Sequence, residues 1–142
     1  MNTQEKRFGA LYRQAALQFG LSECAMWVLY FLISSDEPLT QQELTERMMF
    51  PKQTINSAVM SLAQKMYLEL QTIQGMRSYK QIVLTPEGEE LARNTVRKMR
   101  TAEERAVKAL GQEKIEQFIV LHDEFMEQIC AELGKVDISI KV

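Results

Sequence analysis

Residues that carry chemistry or cross-link a fold are scarce in this 142-residue chain, which has two cysteines, one histidine and one tryptophan. Cys24 and Cys130 stand far apart and form no Cys-x-x-Cys pair, which excludes a disulfide framework and a thiolate zinc site and points to a reducing cytoplasm. With one histidine, any Ser-His-Asp or Cys-His chemistry would have to centre on His122. That residue stands in an apolar stripe without carboxylate or thiol neighbours at ligand spacing, as a buried, hydrogen-bonded interface histidine would. No glycine-rich phosphate loop occurs. These absences argue against an enzyme and imply no catalytic residues, no metal and no cofactor. Long apolar runs are missing too. The longest, Cys24 to Ile33, falls well short of the ~18 residues a membrane span needs, and no signal-type stretch follows the N-terminal residues. The expectation is a cytoplasmic protein with no membrane partner.

What is present is globular: 46% hydrophobic and 25% charged residues, enough for one core of ordinary size. The net charge of −2 conceals a local field. From Arg47 to Lys80 the chain carries Arg47, Lys52, Lys65, Arg77 and Lys80 against Glu69 alone, a balance of +4 that leaves −6 for the remainder. A basic patch on an acidic body suits a polyanion such as duplex DNA, where phosphate neutralisation supplies most non-specific affinity.

Apolar periodicity predicts a helix from Gln4 to Phe19 (Phe8, Leu11, Tyr12, Ala15, Ala16, Phe19), ended by Gly20. A second, from Glu23 to Ser34 with Ser22 as cap, is apolar nearly all round and reads as the spine of the domain. After Asp36-Glu37-Pro38, Thr40 and Glu43 form a capping box, with Leu39 and Leu44 spaced as a hydrophobic staple, for a helix to Met48. Pro51 suits the first turn of the next helix, to Lys65, which buries Ile55, Ala58, Val59 and Leu62. Its opposite face shows Gln53, Asn56, Ser57, Met60 and Gln64. Tyr67–Ile73 and Tyr79–Leu84 alternate as paired strands around a Gly75-Met76-Arg77-Ser78 tip. Thr85 and Pro86 then open one long helix to Leu110, closed by Gly111. A last helix, Glu113 to Leu133, bears the stripe Ile115, Phe118, Ile119, His122, Phe125, Met126, Ile129 and Leu133, and Gly134 closes it. The tail 136–142 alternates like a strand.

The fold class is mainly α (α+β): a winged helix-turn-helix over residues 36–85, flanked by helical scaffold parts at 1–35 and 86–142, in a single domain spanning 1–142. In such a motif the second helix enters the major groove, and Asn, Gln, Ser and Thr read base edges or bind phosphates. The candidate DNA-contacting residues are Lys52, Gln53, Thr54, Asn56, Ser57, Ser61 and Lys65 on that helix, with Arg77 and Lys80 on the wing. The segment from Pro51 through Leu68 contains no acidic residue, which separates it from an ordinary solvated helix face.

Three motifs carry a resemblance to a known family. Leu39-Thr40-Gln41-Gln42-Glu43-Leu44 is similar to the "LT-x-x-EL" opening of the third helix in the MarR family of bacterial regulators. Lys52 to Val59 resembles its recognition helix, and Leu84-Thr85-Pro86-Glu87-Gly88 its "LT-x-x-G" after the wing. The chain departs at Pro51, where a Ser-type cap is usual, at Met66, where glycine is usual, and in a wing that keeps Arg77 but has no Asp. A non-glycine residue in a left-handed turn costs on the order of 1 kcal/mol, so either that turn differs or other interactions offset it. The resemblance implies N- and C-terminal dimerisation helices, a homodimer on a pseudo-palindromic site in double-stranded DNA, a repressor's role and release by a small-molecule effector. It places the effector pocket near Tyr12, Trp27 and Tyr30. Two alternatives stand beside this reading. One is a winged helix that docks protein instead of DNA. The other is a redox-sensing regulator using Cys24, whose place in the first turn of a helix favours the thiolate, against the commoner buried cysteine that acts as a small hydrophobe.

Overall fold

The computed structural model describes residues 2–136, and of Asn2, Met76, Arg77, Ser78 and Tyr79 it describes the backbone alone. The alternating tail lies outside the described residues from Asp137 onward. The elements in chain order are α1 (Asn2–Phe19), α2 (Glu23–Ser34), β1 (Leu39–Thr40), α3 (Gln41–Arg47), α4 (Lys52–Gln64), β2 (Leu68–Ile73), β3 (Met76–Leu84), α5 (Pro86–Asn94), α6 (Val96–Leu110) and α7 (Gln112–Leu133). The chain divides within α6 into two compact units, Met1–Thr101 and Ala102–Val142.

The first unit is organised around α2. Ser22 caps it, its side chain accepting the Ala25 N–H at 3.1 Å, and Cys24, Ala25, Met26, Val28 and Leu29 are all buried. Leu39 and Leu44, the predicted staple pair, are buried in the same cluster, as are Ile55, Ala58, Val59 and Leu62 of α4. The i, i+3, i+4, i+7 spacing of that last set therefore reads correctly as the underside of α4. Each fully buried aliphatic side chain there contributes roughly 2 kcal/mol of apolar transfer free energy. Arg100 of α6 donates to the Ile33 carbonyl at 3.2 Å, satisfying a backbone group that the end of α2 leaves open.

The sheet is three-stranded and antiparallel in the order β1-β3-β2. Its register pairs Leu39 with Ile82, Thr40 with Gln81, and Leu68 with Leu84. Periodicity missed β1, because two residues are too few to alternate. The wing tip is tighter than expected: Ile73 pairs with Met76, so the turn is Gln74-Gly75, with Gly75 at φ 84°. A register shift between Thr72 and Ile73 precedes it, and Arg77 falls within β3 rather than in the loop.

Two further expectations are corrected. Pro51 occupies the N-cap of α4, not its first turn, and supplies no side-chain cap bond. The predicted long helix breaks at Thr95 (φ −128°, ψ −93°) into α5 and α6. No proline or glycine marks that break. Thr95 is buried, its hydroxyl donates to the Leu91 carbonyl at 2.7 Å, and its N–H bonds one residue short of the α-helical pattern, to Ala92. The two glycine stops are as expected: Gly111 closes α6 at φ 95°, and Gly134 caps α7 in the right-handed region at φ −64°.

The turn after α4 resolves the question posed by Met66, which is left-handed at φ 68°. Its N–H donates to Ala63 at 3.0 Å and the Tyr67 N–H to Leu62 at 2.9 Å, the pair of bonds of a Schellman motif. The Met66 side chain is 64% exposed, so packing does not offset the strain. Hydrogen bonding does. The hydroxyl of buried Thr85 donates to the Met66 carbonyl at 2.5 Å and accepts the Gly88 N–H at 3.0 Å, while the Thr85 N–H donates to the Tyr67 carbonyl at 3.1 Å. Gly88 is required by close approach, since a Cβ there would stand 2.0 Å from the Tyr67 carbonyl oxygen. Replacing Met66 by glycine is expected to raise stability by about 1 kcal/mol in denaturant unfolding. Gly88→Ala is expected to lower it by about 3 kcal/mol, because the added methyl meets backbone. Equal stability for the two variants would contradict this account of the turn.

Candidate nucleic-acid interface

The candidate surface is built from the underside upward. With Ile55, Ala58, Val59 and Leu62 committed to the core, the helical period leaves Lys52, Gln53, Thr54, Asn56, Ser57, Met60, Ser61, Gln64 and Lys65 outside, and all nine are exposed. Lys52 begins α4 and Lys65 follows its last residue, so the two ammonium groups bracket a polar face roughly 20 Å long. No carboxylate lies between them in the sequence.

Lys80 joins this surface from the wing. With Lys52 it lines an open depression of about 560 Å³ between α3, the start of α4 and the sheet, together with Thr40, Gln41, Thr45 and Glu46. The position of Lys80 follows from register, because it pairs with Thr72, the last but one residue of β2, near the tip of the wing. Glu46 lies just upstream of the stretch from which the local charge of +4 is counted, and it tempers the field in this depression. The Arg77 side chain lies outside the described residues; its backbone continues β3 from the tip.

One contact has no counterpart in the sequence reading. Gln41, the first residue of α3, donates its Nε2 hydrogen to Oδ1 of Asn56 at 2.9 Å. The capping box fixes where α3 begins: Thr40 Oγ1 accepts the Glu43 N–H at 3.1 Å, and a Glu43 carboxylate oxygen accepts the Thr40 N–H at 2.8 Å. The Gln41 carbonyl in turn accepts the Thr45 hydroxyl at 2.8 Å. Fifteen residues separate Gln41 and Asn56, and only the angle between α3 and α4 brings them together.

The family profile that matches residues 19–75 is that of the MarR family. That stretch runs from the end of α1 through β2, and over it the chain is similar to the MarR family. Solved structures extend the likeness across nearly the whole chain. A MarR family regulator from Neisseria meningitidis superposes with a TM-score of 0.73 at 21% identity, covering 94% of each chain. The MepR–DNA complex of S. aureus gives 0.67 at 19% identity, covering 90% of this chain and 93% of that one. Staphylococcus aureus MarR in complex with salicylate and kanamycin gives 0.66 at 16%, covering 93% and 89%. At these identities the likeness is one of fold. A comparison with curated proteins finds no match.

Within this MarR-type fold, Tyr12, Trp27 and Tyr30 do come together. Tyr12 and Trp27 have ring centroids 5.0 Å apart, and Trp27 and Tyr30 meet edge-on at 5.3 Å. Phe8 and Phe31 extend the row. These rings pack on one another. Trp27 also faces an open apolar recess of about 210 Å³ lined by Phe31, Arg47, Met48, Met49 and Phe50. Of the three rings, Trp27 alone lines that recess.

Cys24 is 5% exposed, and its thiol pKa is raised, first by burial and then by the Glu23 carboxylate beside it. This agrees with the commoner reading of Cys24 as a small buried hydrophobe and opposes the thiolate that a helix N-terminus would favour. Cys130 is exposed on α7, as is His122, whose ring lies 5.9 Å from that of Phe118. The expected burial of His122 is not found in the single chain. In the folded protein at neutral pH, Cys24 is expected to resist a disulfide reagent that modifies Cys130 readily, and to react once denaturant unfolds the first unit. Rapid labelling of Cys24 in the native state, followed by peptide mass mapping, would revive the redox reading.

Proposed function

We propose that this protein is a transcriptional regulator that binds double-stranded DNA as a homodimer and acts as a repressor released by a small-molecule effector. The observation that carries this reading is the exposed, acid-free face of α4 between Lys52 and Lys65, presented by a helix whose other face is locked into the core. Lys52, Lys65 and Lys80 serve as phosphate contacts that set register, Arg77 reaches the minor groove from the wing, and Gln53, Thr54, Asn56, Ser57 and Ser61 meet base edges or nearby phosphates. The DNA and small-molecule complexes among the MarR-type neighbours support the class of partner. A ligand that favours one spacing of two readers would shift that population and with it the affinity for DNA.

A second copy of the chain accounts for apolar surface that the monomer leaves uncovered. On α1, Phe8 and Leu11 are 62% and 59% exposed, and α7 has no buried residue at all. Phe118, Ile119, Val120 and Leu121 form consecutive exposed positions there. Paired in a dimer, two recognition helices would enter successive major grooves about one turn (~10 bp) apart.

Genomic footprinting is expected to show protection of a short inverted repeat, with affinity that falls steeply as salt rises. Gln53→Ala combined with Asn56→Ala should reduce preference for that repeat at least tenfold while leaving the salt slope near that of the wild type. Unchanged binding across sequences would favour a protein-docking winged helix instead. Sedimentation is expected to show a dimer that Phe118→Asp with Ile119→Asp shifts to monomer. A wild-type monomer at micromolar concentration would overturn the dimeric part of the proposal.

A further inference from the structure

We propose that Gln41 is a positioning residue that fixes Asn56 as a hydrogen-bond donor toward the base edge it meets. This rests on the DNA-binding reading given above and concerns the specificity of the same surface. A free asparagine amide is ambivalent: it can present its oxygen or its NH₂, and it reads adenine by using both at once. In the folded chain Asn56 spends one end of its amide on a neighbour. Its Oδ1 is engaged by the Nε2 hydrogen of Gln41 at 2.9 Å, which turns the acceptor end toward α3 and leaves Nδ2 as the outward group. The backbone that carries Gln41 is well anchored. Gln41 is the first residue of a helix whose start is set by the Thr40–Glu43 capping box, its carbonyl holds Thr45, and the preceding Thr40 is paired to Gln81 in the sheet. The amide of Asn56 is therefore oriented before DNA arrives.

An outward donor selects among bases by elementary complementarity. Guanine offers O6 and N7, thymine O4 and adenine N7 as acceptors in the major groove, whereas the hydrogen-bonding group of cytosine there is the N4 donor. At the position read by Asn56 the protein should therefore disfavour cytosine on the contacted strand. One directed hydrogen bond corresponds to about threefold to tenfold in relative affinity. A carboxylate at position 41 cannot donate. Gln41→Glu would draw the Asn56 NH₂ inward and turn Oδ1 outward, moving the preference at that one position toward the N6 and N4 donors of adenine and cytosine. An acid at the first helical position is compatible with the helix dipole, so α3 should still form.

The test is selection of bound sites from a randomised duplex library by the full-length wild type, Asn56→Ala, Gln41→Glu and Gln41→Met, each checked for folding by circular dichroism. Asn56→Ala locates the position that Asn56 reads. Wild type should disfavour cytosine there by about threefold to tenfold, Gln41→Glu should favour cytosine and adenine over guanine and thymine, and Gln41→Met, which keeps side-chain length but cannot donate, should flatten the preference to about twofold or less. Loss of affinity spread evenly over the motif in both Gln41 variants, with the base preference at that position intact, would overturn the proposal. If Gln41→Glu binds too weakly for selection, Gln41→Met decides. Failure of the wild type to enrich any motif would instead overturn the DNA-binding reading itself.

Discussion

The side chain of Thr85 holds the winged helix together. Its hydroxyl donates to Met66 and accepts from Gly88, and its N–H reaches Tyr67, so one buried residue joins the end of α4, the base of the wing and the start of α5. The direction in which α4 leaves the core depends on the left-handed turn at Met66, which these bonds hold in place. The wing depends on them as well, because β2 begins immediately after that turn and β3 ends immediately before Thr85. Close approach of α5 then demands glycine at position 88. The recurrence of "LT-x-x-G" after a wing thus has a physical reason: cap, hydroxyl donor and missing Cβ are three requirements of one joint.

Features set by local chemistry were legible in the sequence. The Thr40–Glu43 capping box, the Ser22 cap, the turn at Gly111 and the four-residue underside of α4 each involve neighbours within one or two helical turns. Features set by distant partners were not. Strand β1 exists because Leu39 meets Ile82, forty-three residues away, and two residues leave no period to detect. The break at Thr95 has no proline or glycine to announce it, and a threonine inside a helical pattern reads as ordinary until its burial and back-bonding are seen. The charge of the interface was legible only in part, since Lys80 is brought beside Lys52 by the wing and Glu46 by the preceding helix.

For the candidate site, the outward residues of α4 follow from its period alone, and their exposure agrees position by position. Their conformation does not follow from it. The link between Gln41 and Asn56 depends on the angle between two helices, which a single sequence does not encode at either residue. Cys24 shows the converse. A helix N-terminus and a thiol suggested reactivity, but the same apolar run that makes α2 a spine desolvates the cysteine and opposes its ionisation.

The division of labour on α4 bears on how such a protein diverges. Core contacts sit on one side and exposed polar groups on the other, so most outward positions can change with little loss of stability, whereas Ile55, Val59 and Leu62 cannot. Outward residues can thus change while the scaffold persists, which agrees with superposition on MarR-type structures at 16–21% identity. Asn56 is the exception among the outward positions. Tied to Gln41, it can drift only if its partner drifts with it, and the two should therefore vary together among descendants of this chain.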